Sequence, residues 1–278
     1  MDDSKQQIVN LELPGKWNGK AVEKWSGLIY KPAELTQKPD LVFKSDNGNI
    51  TALKQVEFKG EKFFFVVKKT ARRSGIKAIV DLLRMPKSLK NLKLALLLKQ
   101  KNIETAQPAA ALWHAKLGCI YITEYIKDSL NLYDIAFGKN KEILNNFSAR
   151  KAVIRQVAEI IAKLHKSGFW HRDPKAGNFI VYKENDVYKV KLVDLDGIKH
   201  NLIDSQEKQI RTLANLAKTL IRFKMVNLAD LYRGFEIYYR AMEIERKAAK
   251  KLFYKVERAT VAMRLLNVLE ESRKFKEE

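Results

Sequence analysis

Residues 171–179 read HRDPKAGNF, which brings His171, Arg172, Asp173, Lys175 and Asn178 close together. Neither a helix interior nor a strand would carry Arg, Asp, Pro and Lys in succession. The stretch therefore reads as a loop held by a scaffold, where reactive groups are commonly placed. Downstream, the apolar run VKLVDLDG ends in two carboxylates, Asp194 and Asp196. Acidic groups and an amide on adjoining strand ends offer oxygen ligands to a hard cation such as Mg²⁺, which leaves positions open for phosphate. One carboxylate then remains to accept a proton from a hydroxyl.

The elements that must position these groups are legible on either side. SARKAVIRQVAEIIAKLHKSG (148–168) sets Val153, Ile154, Val157, Ile160, Ile161 and Leu164 at helical spacing, with Ser148 as N-cap and Gly168 as terminator. NFIVYK (178–183) and YKVKLVDL (188–195) read as two strands around an END turn. Three earlier strands, LVFKS, ITALKQVEF and KFFFVVKK, are separated by DNGN (46–49) and KGEK (59–62), both good hairpin turns. A basic helix is expected over about 76–101, a β-like run at CIYITEYI (119–126), and polar-faced helices over about 205–273. A strand-rich first part thus precedes a helical second part.

Composition narrows the partners. The 278 residues carry 53 Lys and Arg against 32 Asp and Glu, a net charge of +21, which implies an anionic partner. Residues 72–101 hold nine Lys or Arg and one acid, Asp81, so this segment is the expected contact with an anionic membrane. A second cluster, Arg246, Lys247, Lys250, Lys251 and Lys255, partly shares one helical face and could steer an acidic substrate or simply be solvated. The opening MDDSKQQIVN is acidic and polar, which argues against a secretory leader. No run approaches 18 consecutive apolar residues. Cys119 is alone and is expected to be a small buried hydrophobe in a reducing compartment. Phe169 and Trp170 are expected in the core. His114, His165 and His200 show no metal-ligand spacing, so zinc is not expected.

HRDPKAGN, from His171 to Asn178, resembles the protein-kinase-like catalytic loop H-R-D-x-x-x-x-N at the same spacing. LHKSG (164–168) resembles the helix end that leads into it, and VDLDG falls where the metal-binding D-F-G would be. Within that superfamily the chain is similar to the bacterial lipopolysaccharide kinases, which phosphorylate heptose or Kdo sugars of the inner core. KFFFVVKK resembles their strand ending in the ATP-contacting lysine. KNIETAQPAAAL (101–112) resembles their GI-x-T-x-x-P-x-A turn, and VDLD resembles their I-D-L-D.

The resemblance implies an α+β, two-lobed protein-kinase-like fold, with a strand-rich N-lobe over 1–126 and an abbreviated helical C-lobe over 127–278. It implies ATP and Mg²⁺ as cofactors and a glycolipid, the lipopolysaccharide core, as substrate. By the same resemblance Asp173 accepts the substrate proton and Lys175 neutralises the transferring phosphoryl group, while Asn178 and Asp194 hold Mg²⁺. Lys68 reaches the α- and β-phosphates, with Lys69 as its rival, since alternation lets only one of the pair face inward. Gly48 lies in the phosphate-covering loop, and backbone groups of Glu124 and Ile126 form the hinge to adenine. His171 and Arg172 shape the loop.

Two departures stand out. SDNGNI (45–50) holds a single glycine, and Asn91 stands where a glutamate usually pairs with the strand lysine. They keep open a catalytically silent scaffold. A RIO-like protein kinase or ATPase linked to RNA is the other alternative, although nucleic acid fits less well. No A-P-E anchor is found, which disfavours protein substrates. The expected location is the cytoplasm, peripheral to the inner face of the cytoplasmic membrane.

Overall fold

The computed structural model describes residues 6–76, 78, 80, 84–200, 205–221, 223 and 226–277. Contacts divide the chain into two compact units, Met1–Gln100 with Thr105–Ile126, and Lys101–Glu104 with Lys127–Glu278. The short segment at 101–104 is pinned into the second unit by backbone carbonyls. Asn102 accepts from Lys163 Nζ at 2.9 Å and Glu104 accepts from the Leu192 N–H at 2.9 Å.

The first unit is built on a seven-stranded antiparallel sheet. Its strands are β1 (Ile8–Leu11), β2 (Trp17–Val22), β3 (Leu41–Asp46), β4 (Asn49–Phe58), β5 (Glu61–Thr70), β6 (Pro108–His114) and β7 (Gly118–Glu124), in the order β1-β2-β6-β7-β5-β4-β3. The expected hairpins form. Asn47 and Gly48 both take positive φ between β3 and β4, as do Lys59 and Gly60 between β4 and β5, the pattern of a two-residue type I′ turn. A 3-10 turn at Glu23–Leu28 lays Trp25 edge-on against Phe63 and Phe65, at 5.7 and 5.3 Å between ring centres. That fixes the covered face of β5 as the one carrying Phe63, Phe65 and Val67.

Among the described residues this unit carries α1 (Glu34–Gln37) and α2 (Lys87–Gln100), the latter burying Leu89, Leu92, Ala95 and Leu98, and Ile76, Ala78 and Val80 are helical as well. The expected basic helix over 76–101 is thus interrupted, with helical residues at its start and again from Lys87. Residues 84–86 are not helical, because Pro86 has no N–H to give and biases Met85 toward extended backbone. Residues 77, 79 and 81–83, with the acidic Asp81, lie outside the described residues. β6 is a central strand that periodicity did not show, since PAAALWH is alanine-rich and buried through Leu112. Cys119 is half-buried at the start of β7, less enclosed than expected.

In the second unit, β8 (Leu130–Asn131) pairs with β10 (Phe179–Glu184), which pairs with β11 (Val187–Leu192), while β9 (Phe169–His171) pairs with β12 (Ile198–His200). The helices are α3 (Leu132–Ala136), α4 (Lys141–Asn145), α5 (Phe147–Lys166), α6 (Gln206–Leu220), α7 (Leu228–Ala241) and α8 (Arg246–Glu277). α5 carries the expected apolar face, but its cap is Asn146, whose side chain accepts from the Ala149 N–H, and not Ser148. Gly168 follows its end and donates to the His165 carbonyl at 3.0 Å.

His165 sits near the end of α5, buried, with Nδ1 at 2.9 Å from the Tyr238 hydroxyl of α7. Burial pushes its pKa down to about 4. The unfolded ring takes up a proton near pH 6.5, which the folded ring refuses until about pH 4, so stability falls as pH drops through that window. The expected loss is on the order of 3 kcal/mol. Urea midpoints measured at pH 7.5 and 5.0 should show this slope in the native chain. His165→Gln, which can still bond Tyr238, should reduce it.

Candidate active site

The loop begins where two very short strands meet. β9 and β12 pair His171 with Ile198, and the Arg172 N–H donates to the Gly197 carbonyl at 2.9 Å. Gly197 is the glycine of VDLDG. A Cβ at this position would fall on the imidazole of His171, so the glycine is needed for close approach. The ring is 1% exposed. Burial lowers its pKa, and the neighbouring Asp194 opposes that shift. The neutral ring receives the Asp173 N–H at Nδ1, at 3.3 Å. His171 and Gly197 thus lock the two polar motifs to each other.

The hairpin beyond the loop does the rest. β10 and β11 turn on Asn185 and Asp186, both at positive φ, and their register pairs Phe179 with Leu192. Asn178 immediately precedes one strand, and Val193 and Asp194 immediately follow the other. The Val193 N–H donates to the Asn178 carbonyl at 2.8 Å, which ties the backbone of Asn178 to the residue before Asp194 at the hairpin base. Asp194 takes a left-handed backbone, φ 59 and ψ 65, and begins the 3-10 turn Leu195–Gly197. Such a conformation is uncommon outside glycine, although aspartate tolerates it better than most residues.

Asp173 stands between these anchors. Its carbonyl accepts a long bond from Asn178 Nδ2 at 3.5 Å, and its carboxylate pairs with Lys175 Nζ at 3.0 Å. The two side chains are 49% and 59% exposed, so the pair faces solvent and is weakly held. A carboxylate in reach of an incoming hydroxyl, beside a cation able to meet negative charge, suits proton acceptance coupled to transfer of an anionic group. Among the described residues no group of three or more His, Cys, Asp or Glu could hold a metal. The Asn178–Asp194 pair is an oxygen donor set of the kind Mg²⁺ uses when phosphate and water complete its shell.

A set of supporting residues escaped the sequence reading. Thr212 Oγ1 donates to the His171 carbonyl at 3.0 Å, and Asn215 Nδ2 donates to the Arg172 carbonyl at 3.2 Å. Thr219 Oγ1 accepts the Ala176 N–H at 3.0 Å. All three lie on α6 at spacings of three and four, hence on one face, and they grip the loop on both sides of Asp173. Thr212 and Asn215 are buried. Polar residues at helical spacing within an otherwise apolar stripe were the available signal.

The remaining expected site residues belong to the first unit. Gly48 is at the exposed tip of the β3–β4 hairpin, beside Ala71. Lys68 lies across from Thr51 and Tyr121, whereas Lys69 lies across from Ile50 and Ile120, on the face that Trp25 covers at Phe65. Asn91 is buried on α2. The Glu124 N–H donates to the Gln107 carbonyl at 2.9 Å, and the Tyr125 N–H to the Phe64 carbonyl at 2.9 Å. Ile126 closes the unit.

The fold these elements make is that of the kinase-like enzymes. A solved structure described as "WaaP in complex with acyl carrier protein" matches with a TM-score of 0.56 and 18% identity, over 91% of this chain and 98% of that one. Residues 83–235 match the lipopolysaccharide kinase (Kdo/WaaP) family, a span of more than half the chain that contains the loop, the hairpin and α6. The chain belongs to that family and is a phosphotransferase with an alcohol group as acceptor. No relative is found among curated proteins.

Because the side chain of Asn215 donates to a loop carbonyl, Asn215→Ala should cost about 1 kcal/mol of stability. If the grip orients Asp173, phosphotransfer should also fall about tenfold at unchanged KM for ATP. Steady-state kinetics with ATP as the varied substrate, beside a urea melt, separates the two effects. Asn215→Gln should recover part of the rate.

Proposed function

We propose that this kinase transfers the γ-phosphate of ATP to a hydroxyl of a lipopolysaccharide inner-core sugar, a heptose or Kdo. The observation that carries the reading is the joined loop and hairpin base, where Asp173 with Lys175 and Asn178 with Asp194 fall inside the segment that matches the family. Asp173 accepts the proton of the attacking hydroxyl. Lys175 leaves its weak ion pair to meet charge on the phosphoryl group. Mg²⁺, held by Asn178 and Asp194, would neutralise the phosphate oxygens.

In this reading the units are the N-lobe (1–126) and the C-lobe (127–278). Lys68 is the ATP lysine, a choice favoured by the position of Lys69 on the face covered by Trp25. Gly48 lies in the loop over the phosphates. Glu124 and Ile126 contribute backbone groups to adenine, Glu124 through its carbonyl because its N–H already serves Gln107. The enzyme works in the cytoplasm, peripheral to the inner face of the membrane that carries the glycolipid. Among the described residues no helix is long and apolar enough to cross a membrane. The RNA-linked protein kinase and the silent scaffold receive no support from the family match.

Transfer of labelled γ-phosphate to dephosphorylated lipid A–core, with heptose-terminated and Kdo-terminated acceptors run in parallel, tests the proposal and assigns the sugar. Asp173→Ala should lower transfer by about 10²–10⁴-fold while the far-ultraviolet circular dichroism is unchanged. Label on protein or RNA, and none on glycolipid, would reject the proposed acceptor.

A second reading concerns a partner. The second unit contains an apolar cavity of about 440 Å³ lined by α5, α6, α7 and α8, with Val157, Ile161, Leu216, Phe235 and Phe253 on its wall. Its size and polarity suit an acyl chain, and the similar solved structure is a complex with acyl carrier protein. Native mass spectrometry should detect a complex with acylated carrier protein that is lost in Ile161→Trp, a substitution that fills the cavity.

A further inference from the structure

α8 runs 32 residues, roughly 48 Å along its axis. Its inner face is an orderly buried stripe, Ala249, Leu252, Val256 and Thr260, at spacings of three and four. Phe253 beside the stripe meets Phe235 and Tyr232 of α7. The stripe ends there. From Val261 to Val268 none of the described residues is buried.

The opposite face is organised differently along its length. Lys247, Lys250, Lys251 and Arg258 are exposed on it, and none of the four makes an ion pair among the described residues. Continuing on the same face, Leu265 and Val268 are 60% and 61% exposed, while Val261, 54% exposed, borders the apolar cavity. Solvated helix faces carry polar residues at such positions, so this arrangement calls for a partner.

From this we propose that the outer face of α8 is a docking surface for an anionic lipid bilayer, with the apolar end inserted and the basic end on the lipid phosphates. The inference rests on the reading that the acceptor is a membrane-held glycolipid, and it names the element that brings the enzyme to it. Charge complementarity supports the choice of partner. A basic face continuous with an apolar one fits an interface that is anionic outside and apolar within. Two copies packed through this face would set lysines against lysines if parallel and against the apolar end if antiparallel, and neither arrangement neutralises the charge. α2, the basic helix that sequence alone pointed to, has already used Leu89, Leu92, Ala95 and Leu98 in the core.

The test is co-sedimentation of the full chain with phosphatidylcholine vesicles and with vesicles containing phosphatidylglycerol, without nucleotide or sugar acceptor. Binding is expected only to the anionic vesicles. Leu265→Ser/Val268→Ser and Lys247→Glu/Lys250→Glu/Lys251→Glu should each weaken it by about tenfold or more, with unchanged thermal melts. Lys87→Glu/Lys90→Glu/Lys93→Glu on α2 should weaken it less. Unaltered binding by the α8 variants would overturn the proposal. So would a dimer in sedimentation equilibrium that the same variants dissociate, because the face would then be covered by a second copy. Phosphotransfer to a detergent-dispersed acceptor should be unchanged in the α8 variants, so failure of docking and failure of the catalytic reading are separable.

Discussion

The imidazole of His171 occupies the space that a side chain at position 197 would need. Two strands of three residues each could not hold two motifs together through their ladder alone, since so short a pair has little stability of its own. The buried ring supplies the packing, and its Nδ1 takes the Asp173 N–H. Burial holds the ring toward its neutral form, which an acceptor nitrogen requires. The placement of Asp173 and the turn that follows Asp194 both depend on this contact.

Around it the chain uses neutral groups as braces. Thr212, Asn215 and Thr219 bond to loop carbonyls and an N–H, and they add no charge beside the Asp173 carboxylate. The nearby cation, Lys175, is held by an exposed ion pair of the kind that contributes little to stability. On the proposed mechanism, separating the pair to admit a phosphoryl group would therefore cost little. A buried counter-ion would have made the same rearrangement expensive. Rigid backbone and loosely held charge are combined in one loop.

The parts legible in the sequence were those whose physics is local. Type I′ turns announce themselves through Asn47–Gly48 and Gly60, and the apolar period of α5 is set by its own side chains. Its cap was misread because Asn146 and Ser148 are both competent caps two residues apart, and only the chain's path chooses between them. β6 was missed because Ala109, Ala110 and Ala111 have low strand propensity, and they are strand residues only because neighbours cover both faces. In the site, HRDPKAGN and VDLDG were visible as motifs. The α6 braces were not, because their partners lie some forty residues away and are backbone atoms without a sequence signature.

The charge of the chain shows the same division at larger scale. Helices α2 and α8 are both lysine-rich, and composition does not distinguish them. What separates them is how much apolar surface remains after folding. α2 gives Leu89, Leu92 and Leu98 to the core and leaves only Leu97 exposed, at 38%, so its lysines are the ordinary solvated side of a core helix. α8 buries one stripe as far as Thr260 and then presents further leucine and valine to solvent, next to lysines that no carboxylate among the described residues neutralises. Leaving that apolar surface in water forgoes about 25 cal/mol per Å². A folded chain gains nothing internally from that exposure, so its explanation lies in what the helix meets outside the fold.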